Sequence, residues 1–132
     1  MKNKYIIEEI LNATFLKLLY PEGINFKNCF VNELIFSYEG PSVFISFHID
    51  DLPNEIPKKW INDFNKIKII LEFIEISKID FNSWGTINKV KVDFSLNKDD
   101  KTISVSGKDC KFKFKFKWMN FKSISPYMND EK

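Results

Sequence analysis

From Cys110 to Trp118 lysine and aromatic side chains alternate without a break: Lys111, Lys113, Lys115 and Lys117 against Phe112, Phe114, Phe116 and Trp118. A strand with one buried face fits that pattern, because successive side chains point to opposite sides of a sheet. The same period of two recurs upstream. Leu34, Phe36 and Tyr38 alternate with Glu33, Ser37 and Glu39. Val43, Ile45, Phe47 and Ile49 alternate with Ser46, His48 and Asp50. Val90, Val92, Phe94 and Leu96 form a third set, and Ile103 and Val105 a fourth. Gly40-Pro41 and the polar stretches 97–100 and 107–109 supply turns. Turn signals at roughly 8–12-residue intervals predict a mainly β (α+β) fold. The expected architecture is an antiparallel sandwich or strongly curved sheet of about seven to nine strands, with a short N-terminal helix.

Pro53 and Pro57 divide the chain. Each lacks the N–H that a sheet ladder needs, so residues 51–59 are a stiff connection outside any central strand. Trp60 follows as an apolar anchor. Ile67, Ile69, Leu71 and Phe73 then share one face of the densest apolar run, with Ile70, Ile74 and Ile76 on the other. That run is the expected central strand. Ile79, Phe81 and Trp84 make a short strand ended by Gly85, and of the three tryptophans Trp84 is the one expected at a surface. A last strand from Phe121 is expected to stop at Pro126.

Residues 4–19 place Ile7, Ile10, Leu11, Leu18 and Leu19 at helical spacing, with Pro21 and Gly23 as the stop. Residues 1–22 are therefore read as a helical segment, 129–132 as a frayed tail, and 1–132 as a single domain. A chain of this length buries about two-thirds of its unfolded surface without staples.

Net charge is +2, too small to draw in a polyanion by itself. Every basic side chain is Lys, so the planar fork that reads phosphates and guanine edges is missing. Cys29 and Cys110 form no metal or redox motif and read as free thiols of a reducing cytoplasm. No run approaches the roughly 20 apolar residues of a membrane helix. His48 is the sole histidine; with Asp50, Asp51 and Glu55 near it, a metal or acid–base site is conceivable in composition but short of ligands. The glycines form no phosphate loop. No catalytic residue, cofactor or metal is expected.

The lysine stripe has a structural reading as the solvent face of an amphipathic strand and a functional one as a docking strip. Its aromatics point the other way, so they cannot stack bases beside the lysines. Nucleic acid is not an expected partner.

Four runs in order resemble one known family. They are Glu39-Gly40-Pro41-Ser42-Val43-x-Ile45-x-Phe47, Leu52-Pro53-x-x-x-Pro57-Lys58-Lys59-Trp60, Asn65-x-Ile67-x-Ile69-x-Leu71-x-Phe73 and Ile79-x-Phe81-x-x-Trp84. With the closing Ile124-Ser125-Pro126-Tyr127, they are similar to the bacterial polymorphic-toxin immunity family named immunity protein 50. The likeness covers roughly residues 30–128, and the proline–tryptophan run is its most specific part. It implies a non-catalytic cytoplasmic protein that binds and neutralises a cognate toxin domain; the sequence leaves the oligomeric state open, with a monomer favoured. Two surfaces are candidates for that contact: the acidic turn Asp50, Asp51 and Glu55, and the lysines Lys111, Lys113 and Lys115. Two rival readings remain at this point. One is a small β-barrel carrier whose 14 Phe line a cavity for an apolar ligand. The other is a nucleic-acid module using the lysine stripe, whose affinity would fall steeply with salt.

Overall fold

The computed structural model describes residues 4–38, 40–60, 63–86 and 88–128. Glu39 and the expected frayed tail lie outside them. In chain order the elements are α1 (Lys4–Glu8), β1 (Ile10–Leu11), α2 (Thr14–Leu19), β2 (Asn28–Ser37), β3 (Ser42–Ile49), β4 (Lys66–Ile74), β5 (Ser77–Ser83), β6 (Lys89–Asn97), β7 (Asp100–Gly107), β8 (Lys111–Phe116) and β9 (Trp118–Tyr127). The strands make one open sheet in the order β1-β9-β4-β3-β2-β6-β7-β8-β5. All neighbours are antiparallel except the short β1–β9 pair.

This sheet bends over itself. β4 pairs with β9 and β5 pairs with β8, and the two pairs share one register, Ile74 opposite Trp118 and Ser77 opposite Lys115. The Lys117 N–H donates to the Ile74 carbonyl at 2.9 Å and bridges them. β4–β5 and β9–β8 therefore form one ribbon with a corner at residues 75–76 and 117. Glu75 (φ 56°) takes the left-handed conformation that turns the chain there, and Lys78 (φ 52°) takes it at the irregularity just inside β5. Beyond the corner the ribbon belongs to the opposite layer. Phe73 of β4 meets Phe114 and Phe116 of β8 edge-on, with centroids 5.3 and 5.0 Å apart. Phe26 joins the layers at another point, against Phe47 of β3 and Phe94 of β6. The aromatic side chains thus fill the space between the layers.

The alternation in the sequence is the burial pattern. Val43, Ile45, Phe47, Ile49, Ile67, Ile69, Leu71 and Phe73 are fully buried, as are Ile103 and Val105. β4 lies inside the sheet between β3 and β9, but the middle of the order is β2, because β9 and β1 add only two strands beyond β4. β4 ends at Ile74, so Ile76 falls in the corner.

Three local expectations need correction. The segment 4–19 is two short helices with β1 between them. Asn12 at φ 57° breaks the helix, and Ile10 and Leu11 pair instead with Met119 and Asn120. The lysine–aromatic strand stops at Phe116. After the corner Trp118 is 40% exposed and leaves the phenylalanine face, with the Lys117 ammonium 4.8 Å from its ring centroid. β9 runs through Pro126 to Tyr127, because Pro126 needs a partner only on the β4 side, where Ile67 stands. The proline connection after β3 is strand-free as expected. Trp60 is half-buried, its ring packed edge-on to Phe64, and its backbone N–H donates to the Pro57 carbonyl at 3.0 Å.

Candidate docking face

Strand register builds one continuous outward face on β2, β3, β4 and β9. Phe30, His48, Lys68 and Ser125 form one row across it. Glu33, Ser46, Ile70 and Ser123 form the next, and Ile35, Phe44, Glu72 and Asn120 the third. Apart from Ser46, these side chains are half-buried or exposed. Polar contacts hold them in place. Ser46 Oγ donates to Glu33 Oε1 at 3.1 Å, and Asn120 Nδ2 to Glu72 Oε1 at 3.3 Å. The Lys66 ammonium lies 5.8 Å from the Phe30 ring centroid and that of Lys122 6.0 Å from Phe44.

His48 sits near one end of this face. Its Nδ1 is 2.7 Å from the Tyr127 hydroxyl, and the two rings meet edge-on. Burial pushes the His48 pKa down and the charges of Lys68 and Lys66 push the same way, against Glu33. The imidazole is held neutral and packed against a phenol. Among the described residues no three His, Cys, Asp or Glu side chains gather as metal ligands. Both thiols are buried. Burial first, then the Asp50 charge, pushes Cys29 up to about 12, and burial raises Cys110. Such thiols stay protonated and make poor nucleophiles.

The acidic turn adjoins the His48 end, and its three carboxylates differ in their surroundings. Asp50 is exposed and ion-paired with Lys66. Glu55 is exposed on the proline connection. Asp51 works inside the fold: its Oδ2 accepts the Asn25 N–H at 3.0 Å, and its carbonyl accepts the Tyr20 hydroxyl. It ties the connection to the segment after α2.

The lysine stripe lies on the other layer, on the outward side of β8. Phe112, Phe114 and Phe116 point inward and are buried. Lys115 pairs with Asp100 at 3.0 Å and Lys117 with Glu75 at 3.7 Å. Lys113 stands opposite Asp80, whereas Lys111 faces Ser106 and Ser83. Neighbouring acids thus offset most of the stripe. Register does not bring it together with the acidic turn, since β2, β6 and β7 separate β3 from β8.

At the far end of the outward face, sequence patterning missed a surface. Register puts Leu34 and Phe36 opposite the buried Ile45 and Val43, the face their alternation assigns. Yet Phe36 is 51% exposed and Tyr38 93%, although Val43 opposite Phe36 is fully buried, because β2 beyond Phe30 pairs with no strand but β3 among the described residues. Ile35, on the outer side, is 48% exposed. The signal was present as apolar side chains out of phase with their strand: Phe30, Ile35, Phe44 and Ile70 all occupy polar-face positions. On the other layer, Trp84 is exposed as expected and packs beside Phe81.

A family model described as immunity protein 50 matches residues 12–127. That span runs from the residue after β1 to the end of β9. No curated protein and no solved structure matches the chain.

Proposed function

The chain belongs to the immunity protein 50 family, and from that premise we propose that it neutralises a cognate toxin domain in the cell that makes both, by covering that domain and without chemistry of its own. The observation that carries the reading is the outward face of β2, β3, β4 and β9, a partly apolar surface on a packed sheet. From Val43 to Ile49 it extends about 20 Å at the usual strand rise. A standard protein interface of roughly 800 Å² per partner would cover it from the hairpin tip to the acidic turn.

Asp50 and Glu55 are its charged end and steer a basic toxin domain, while Asp51 positions the turn from within. Lys111, Lys113 and Lys115 lie on the other layer and would be the contact only for an acidic partner. Binding needs a rigid complementary surface, and rings packed between the layers supply the rigidity. The same rings occupy the space that a carrier of apolar ligands would keep open.

Co-expression with the toxin domain encoded beside it tests the reading. Growth should be restored and a stoichiometric complex should co-purify; growth arrest in the presence of abundant folded protein would refute it. Within that complex, Asp50→Ala with Glu55→Ala should weaken affinity roughly three- to tenfold at low salt, mainly through the association rate. Lys111→Ala with Lys113→Ala and Lys115→Ala should leave it unchanged. The reverse outcome in a binding titration would move the contact to β8.

A further inference from the structure

Sheets protect their free edges, because unpaired N–H and C=O groups recruit foreign strands. Most exposed edges of this sheet carry such protection. β5 is exposed along its whole length, but its register with β8 shifts twice and Lys78 lies in it at φ 52°. Beyond its pairing with β1, β9 carries Lys122 and Pro126. β1 is two residues long. β6 past Lys91 is packed by Phe26 against Phe94.

The distal half of β2 differs. It pairs with β6 only from Asn28 to Phe30, and the Val31 N–H then reaches the Asn88 carbonyl at 3.0 Å. After the bulge at Asn32, residues Glu33 to Ser37 pair with β3 alone among the described residues. This half contains no proline, no lysine and no further bulge. Ile35 and Phe36 are half exposed on its two faces. Its one charge is the exposed Glu33, and Glu72 lies in the row of Ile35 and Phe44.

We propose that the free edge of β2, from Glu33 to Ser37, is completed by an extended strand of the toxin domain, apolar on the side facing Phe36 and basic opposite Glu33. This rests on the proposed toxin-binding role and specifies how the contact is made. Only an extended backbone satisfies an unpaired ladder edge, and side chains on both faces then set specificity. Charge decides between partners. Two copies of this chain joined antiparallel along these five residues would set each Glu33 opposite a Ser37 and offer it no cation, whereas a basic strand complements it.

Hydrogen exchange on the purified complex of full-length protein and toxin domain tests the proposal. The backbone amides between Glu33 and Ser37 that point away from β3 should exchange at least about tenfold more slowly than in the free protein. Phe36→Lys, at a half-exposed position, should leave the free protein folded with a cooperative melt and weaken toxin binding at least tenfold. A stable complex in which those amides are not slowed would overturn the strand-pairing proposal and leave the toxin-binding role standing. Absence of any complex would overturn both. Slowing in the isolated protein that grows with its concentration would assign the edge to a second copy and overturn the proposal.

Discussion

His48 is where a single residue makes the stability of this protein depend on pH. Burial and the ammonium groups of Lys68 and Lys66 hold its folded-state pKa below 6.5, while Glu33 opposes them in part. In the unfolded chain it titrates near 6.5. As pH falls through 6.5 the unfolded chain takes up a proton that the folded chain refuses. Stability present at neutral pH is therefore lost progressively down to the folded pKa. His48→Gln should remove that part of the slope, and thermal melts between pH 7.5 and about 5 would read the difference against the parent. Alternation put His48 on the polar side of β3, which the register confirms. It carried no hint of Tyr127, a partner 79 residues away that arrives only through the pairing of β4 with β9.

At the scale of elements, legibility followed periodicity. The inward residues of β3, β4, β6, β7 and β8 could be read from every second side chain, because burial and strand period are the same fact. What could not be read were departures from the period. The bulge at Asn32 changes the pairing of β2 by one residue, and the corner after Phe116 turns Trp118 outward. Both depend on where another strand runs. The N-terminal segment failed in the same way. Its spacing suits a helix, but the open edge of β9 offers Ile10 and Leu11 a ladder instead. The turn at Gly107 was legible, although the reason for glycine there is tertiary. A Cβ on Gly107 would stand 2.3 Å from the Lys89 carbonyl oxygen across the β6–β7 pair. Gly107→Ala should force those strands apart at a cost of about 1–3 kcal/mol, visible as a lower denaturant midpoint.

For the whole molecule, the proposed docking role asks that the two layers move as one body. Phe73 is the tie, fully buried and in ring contact with both Phe114 and Phe116. Phe73→Ala should cost about 3–5 kcal/mol in chemical unfolding, a large share of the total for a chain of this size. The candidate site was legible only in part. Its acidic end could be found by charge, but its apolar end needed the architecture, because exposure is a property of what lies beside a strand and not of the strand itself. The pairing of β1 with β9 has a temporal consequence. Asn12, just past that pair, donates from its Nδ2 to Oδ1 of Asn120 at 2.6 Å, a contact across 108 residues. On a ribosome adding 5–20 residues per second, the first segment waits roughly 5–20 s for its seat to be made. Through that interval Ile6, Ile7 and Ile10, buried in the finished fold, have no completed core to enter.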